Sequence, residues 1–126
     1  MVQDTLRFAK VGEPVAVWGW SPNIFAQGHV KMASRDTIGE RVIEPRFDLG
    51  YYRERYLKEF KESDPQVFVD VIGLFMYGNR ELFGWETFPE LKKIIEENYV
   101  QVEETPKFRI YATRKRVAEL QRVQSE

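Results

Sequence analysis

Two hydrophobic periods alternate along the chain. After the breaker Gly12-Glu13-Pro14 comes Val15-Ala16-Val17-Trp18-Gly19-Trp20, an unbroken apolar run. Such a run fits a strand buried on both faces, as in a parallel sheet. Val67-Phe68-Val69-Asp70-Val71-Ile72-Gly73 predicts a second strand of the same kind. Between them, Tyr51 to Glu62 has helical spacing. Leu49, Tyr52, Tyr56, Leu57 and Phe60 fall near one stripe, and Arg53, Glu54, Lys58, Glu59 and Lys61 take the other side. Glu54 and Lys58 add a favourable i,i+4 pair. Ser63-Asp64-Pro65 ends the helix, because the residue before proline avoids helical dihedrals.

Shorter patterns complete the order. Thr5 to Val11 is a weakly amphipathic segment. Thr87-Phe88-Pro89-Glu90 predicts a capping box, with Thr87 accepting from the Glu90 amide and Glu90 reaching back. The helix it opens runs to about Asn98 with Leu91, Ile94 and Ile95 inward. Tyr99 to Val102 and Phe108 to Ala112 alternate like strands around Thr105-Pro106, predicting an edge hairpin. Thr113 to Glu126 is a charged tail with a faint stripe of Val117, Leu120 and Val123, expected to be a solvated helix or frayed. Residues 21–47, with Pro22, Gly28, Gly39 and Pro45, lack a clear period apart from a short extended piece at Val42-Ile43; irregular stretches of this length are often functional.

The order α-β-loop-α-β-loop-α-β-β predicts an α/β fold: a small three-layer, Rossmann-like, mainly parallel sheet with an antiparallel edge hairpin. Residues 1–113 form a single domain in this reading, and 114–126 the tail. At 126 residues with 43% apolar positions the chain can bury one continuous core. Nineteen basic residues face twenty acidic ones, so no overall basic field exists to hold nucleic acid. The absence of cysteine excludes disulfides, thiolate metal ligands and a Cys nucleophile. No apolar run reaches the ~18 residues of a membrane span, and no secretory segment follows Met1.

Catalytic signatures are missing. His29 is the only histidine and reads as a surface residue; neither Ser21 nor Ser34 lies in a G-x-S-x-G elbow. Neither G-x-G-x-x-G nor a P-loop follows the first strand, and no cofactor or metal is expected. Asp70 interrupts an apolar strand, so it needs a strand-end position or a partner. Two aromatic connections stand out. Trp18, Trp20, Phe25, Tyr77, Phe83 and Trp85 accompany Asn23, Gln27, Arg35, Asn79 and Arg80. If both connections leave the carboxyl ends of their strands, they flank the crevice where open α/β sheets bind ligands. Rings with amides and arginine suit a sugar or phosphate-bearing ligand. The other reading is that the rings cover the sheet or pack against a larger parent protein.

The segment VAVWGWSPNIFAQGHVKMASRD resembles part of the soluble C-terminal domain of bacterial multi-pass membrane glycosyltransferases that use polyprenyl-phosphate sugars, similar to protein mannosyltransferases and aminoarabinose transferases. The pattern is a strand ending in W-G-W, then x-P-x-I-aromatic, a glycine, and A-S-R: here Trp18, Gly19, Trp20, Pro22, Ile24, Phe25, Gly28, Ala33, Ser34 and Arg35. DPQVFVDV resembles the family's D-P-P-x-Y-I-V strand through Asp64, Pro65 and Phe68, and FPELKKIIEENYVQVEETPKFRIYAT resembles its closing helix and strands. The resemblance spans roughly residues 5 to 113. Phe25 stands where the family commonly has Tyr, and His29-Val30-Lys31-Met32 differs from its usual short proline-containing link.

The resemblance implies an excised extracytoplasmic domain, with Met1 a cloning start, or a free-standing relative. In such enzymes the catalytic carboxylate lies in a loop between membrane helices. This chain would then be a non-catalytic accessory domain that docks on the membrane-embedded part and helps position acceptor or lipid-linked sugar donor. Its ligand-facing residues would be Trp18, Trp20, Asn23, Phe25, Arg35 and Trp85. The expected location is the extracytoplasmic face of the bacterial membrane. The alternative is a free-standing cytoplasmic α/β module that binds a small sugar- or phosphate-bearing ligand, or a small enzyme.

Overall fold

The structure, a computed structural model, describes residues 2–19, 27–33, 49–72 and 84–125. Helix α1 (Val2–Leu6) leads into β1 (Pro14–Trp18). A two-residue strand β2 (Lys31–Met32) lies within the stretch that showed no period in the sequence. Helix α2 (Leu49–Ser63) precedes β3 (Val67–Asp70). A 3₁₀ turn (Trp85–Thr87) and α3 (Pro89–Asn98) follow, then β4 (Tyr99–Glu104), β5 (Arg109–Thr113) and α4 (Arg114–Ser125).

These strands make one α/β sheet in the order β2-β1-β3-β5-β4. Pairing is parallel across β2-β1-β3 and antiparallel across β3-β5-β4. The two apolar runs of the sequence, β1 and β3, are neighbours, with Val15 opposite Val67 and Trp18 opposite Asp70. Successive strand side chains point to opposite faces, and both faces are filled. Ala16, Trp18, Phe68 and Tyr111 pack with Tyr56 and Phe60 of α2 and Leu91 and Ile95 of α3. Val15, Val17, Val67, Val69 and Ile110 face the other way, against Val2 and Leu6 of α1 and the nearby Phe8 and Ala9. Tyr56 also ties α2 to the sheet, its hydroxyl donating to the Val17 carbonyl at 2.9 Å.

One local expectation is corrected. Thr87 does not cap α3. Phe88 holds the N-cap position without a side-chain bond, and Pro89 opens the helix. The Thr87 hydroxyl is taken by the preceding 3₁₀ turn, donating to the Gly84 carbonyl at 2.8 Å and accepting from Arg53 Nη2 at 3.2 Å. The C-terminal segment is a helix with most of its described residues exposed or half-buried, and Arg116 alone among them is only 5% exposed. The hairpin forms as expected: Thr105 Oγ1 accepts from the Lys107 and Phe108 amides and closes the turn between β4 and β5. The piece at Val42-Ile43 lies outside the described residues.

Candidate functional site

The chain leaves β1 toward β2 on one side and leaves β3 toward β4 and β5 on the other. The carboxyl ends of β1 and β3 therefore flank a topological switch point, where open α/β sheets place ligands. Gly19 makes this end possible. Its φ is +113°, and a Cβ there would lie 2.8 Å from Val71 Cγ2 and 3.3 Å from the Val71 carbonyl carbon. The Val71 amide donates to the Trp18 carbonyl at 2.9 Å, extending the pairing beyond Asp70.

Trp18, Asp70 and Arg109 lie side by side across β1, β3 and β5 in register. Asp70 is fully buried, and its Oδ1 accepts from the Ile72 amide at 3.0 Å. An Asx-type bond of this kind lets a carboxylate end a strand without isolation. Arg109 carries the charge next to it and approaches Glu104 at 3.5 Å. Burial opposes the Arg109 charge, but the Tyr111 hydroxyl and the Glu104 and Asp70 carboxylates outweigh it and raise its pKa. Burial also raises the Tyr111 pKa, assisted by the Asp70 and Glu86 charges against the pull of Arg109. The result is a buried carboxylate and phenol beside a half-buried guanidinium at one end of the sheet, with the phenol held neutral at ordinary pH.

Arg53 of α2 packs against Trp18. Its guanidinium carbon lies 5.7 Å from the Trp18 ring centroid and 5.2 Å from that of Phe88, and Nη1 donates to the Thr87 carbonyl at 3.1 Å. Burial lowers its pKa, countered by Glu90. The cation sits between two rings and a turn carbonyl, a site suited to the planar arginine head. It joins α2 to the start of α3.

The structure places the two described tryptophans in the core. Trp18 is fully buried, edge-on to Tyr56 at 5.7 Å. Trp85 is 5% exposed and lies edge-on to Phe68 and Tyr111. Both are core rings beneath the rim, and neither offers a face on which a sugar can stack. Large apolar surface drives them inward. The Trp85 Nε1 proton donor is buried with no acceptor among the described residues, a loss worth about 1–3 kcal/mol. Trp20, Asn23, Phe25 and Arg35 lie outside the described residues. Sequence reasoning missed Arg53, Arg109 and Tyr111. Register pairing with Asp70 identifies Arg109, and that pairing exists only once strand order is known.

Among the described residues no group of His, Asp or Glu side chains is placed to hold a metal ion. No helix among them is long and apolar enough to cross a membrane. Comparisons with known protein families, curated proteins and solved structures found no match to this chain.

Proposed function

We propose that this chain is a non-catalytic accessory domain of a multi-pass membrane glycosyltransferase, helping to position acceptor or lipid-linked sugar donor. The observation that supports the reading is the role of Trp18-Gly19 at the end of β1. The W-G step that carries the resemblance coincides with a buried ring and with a backbone position that only glycine tolerates against Val71. These two positions are scaffold, and they launch the connection bearing Trp20, Asn23, Phe25 and Arg35 from the switch point. In this reading the sheet is a small Rossmann-like unit with its working connections at the strand carboxyl ends. The partner is the membrane-embedded part of the parent polypeptide, and the location is the extracytoplasmic face of the membrane. Burial of Trp18 and Trp85 leaves a free-standing sugar-binding module with fewer exposed rings, which favours the accessory reading.

The encoding gene supplies the test. The expected result is an upstream reading frame, continuous with this domain, that encodes many apolar spans of ~20 residues. An in-frame stop directly before Met1, with no such spans, overturns the proposal.

A further inference from the structure

A second site lies at the opposite end of the sheet. A cavity of about 490 Å³ opens where α2 and α3 end and α4 begins. Such a volume suits a small ligand. Phe60 and Tyr99, both buried, pack with their ring centroids 6.0 Å apart at its base. Five charged side chains line the walls: Lys61, Asp64, Glu97, Arg114 and Lys115. Arg114 donates Nε to the Glu97 carbonyl at 3.4 Å. The Asp64 and Glu97 carboxylates and the Lys61 and Lys115 ammonium groups form no ion pair among the described residues.

Four of these five charges run against helix electrostatics, Lys61 being the exception. A helix favours cations at its carboxyl end and anions at its amino end. Glu97 is in the last turn of α3, which has no basic residue there, and Asp64 directly follows the last residue of α2. Arg114 and Lys115 open α4, whose first turn has no acidic residue. Asp64 also adopts φ +47°, which carries it off the helical row where it would meet Lys61. Its turn is held from behind: Thr113 Oγ1 donates to Gln66 Oε1 at 2.7 Å, and Gln66 Nε2 donates to the Asp64 carbonyl at 3.2 Å. Charges of both signs thus gather at three helix ends: Asp64, Glu97, Arg114 and Lys115 stand against the dipoles of their own helices, while Lys61 takes the favourable end of α2. Departures from local rules that gather at one place mark functional positions.

We propose that this cavity binds a small zwitterion in which a phosphate is joined to a primary ammonium, the phosphate meeting Lys61, Arg114 and Lys115 and the ammonium meeting Asp64 and Glu97. Three cations and two carboxylates match a ligand that carries charges of both signs. The ligand can be a free metabolite or the headgroup of an ethanolamine phospholipid. The inference is independent of the membrane-enzyme reading, since it uses the other end of the sheet.

The test is titration of the intact chain with O-phosphoethanolamine, followed by amide NMR shifts, with inorganic phosphate and ethanolamine as separate probes. Saturable shifts at the Asp64, Gln66 and Lys115 amides are expected, with phosphoethanolamine at least tenfold tighter than phosphate. Asp64→Asn removes that preference and leaves phosphate affinity unchanged; asparagine accepts positive φ, so the turn survives. Lys115→Gln weakens both. Equal affinity for phosphate and phosphoethanolamine overturns the proposal, as does the absence of saturable shifts up to roughly 10 mM, tenfold above a ~1 mM constant. Sedimentation with phosphatidylethanolamine vesicles, lost in Asp64→Asn, assigns the headgroup as the source. Binding of the soluble compound alone assigns a free metabolite.

Discussion

Arg116 and Glu13 form a two-pronged ion pair, with Nη1 on Oε1 and Nη2 on Oε2, both at 2.6 Å. Nη1 also donates to the Phe8 carbonyl at 2.8 Å, and Nε reaches Glu119 at 3.2 Å. One nearly buried side chain therefore connects α4 to the turn before β1. Removing one partner leaves the other charge poorly solvated, which costs about 3–5 kcal/mol for a fully buried pair. Glu13 keeps a 26% exposed side chain, so Arg116→Met is expected near the low end of that range, about 3 kcal/mol. Urea denaturation measures it, and hydrogen exchange should show α4 opening before the sheet.

The same pair sets an acid limit. The Arg116 hydrogen bond holds the Glu13 carboxyl below its ordinary 4.5 despite partial burial. As pH falls, the unfolded chain takes up the proton first, so stability from this pair is complete above about pH 5 and drains below it. Glu13→Gln should be less stable at neutral pH and show a shallower loss on acidification. An unchanged acid limb in urea midpoints taken between pH 7 and 3 would contradict this origin.

Two glycines with positive φ separate strain from crowding. Gly12 has φ +83° and nothing within 4 Å of a built Cβ, whereas Gly19 has φ +113° and Val71 in the way. Gly12→Ala should cost roughly 1–2 kcal/mol from backbone strain alone. Gly19→Ala should cost clearly more, because the Val71 backbone must also move. Thermal unfolding of the two variants tests the order.

Asp70 is expected to be separable into shape and charge. Asp70→Asn keeps an oxygen for the Ile72 amide, while Asp70→Ala strands that buried donor and should lose about 1–3 kcal/mol more. Equal stabilities would show that the Ile72 bond contributes nothing.

Glu97 stands at the unfavourable end of α3, so Glu97→Gln should stabilise the fold by about 0.3–1 kcal/mol at low salt, an effect that fades with added salt. Urea midpoints at two ionic strengths measure it.

Much of the architecture was legible from local pattern. The runs at Val15 and Val67 announced central strands, and the Tyr52, Tyr56 and Phe60 spacing announced α2, because burial periodicity is written directly in the order of side chains. Thr87 shows where such reasoning fails. A threonine three residues before a glutamate satisfies the capping pattern, but Arg53, thirty-four residues earlier, claims its hydroxyl. In the tail, nothing local marked Arg116 as the partner of a carboxylate 103 residues away.

Taken alone, the amino-acid order determined that β1 and β3 would be buried on both faces, that an amphipathic helix would separate them, and that a hairpin would close the sheet. These follow from neighbours within a few residues. Only the tertiary structure decided that Trp18 and Trp85 lie under the rim, that Arg109 stands beside Asp70, and that three helix ends turn their charges toward one cavity. Those outcomes depend on strand order and on which distant backbone reaches a side chain first, and no local period encodes either.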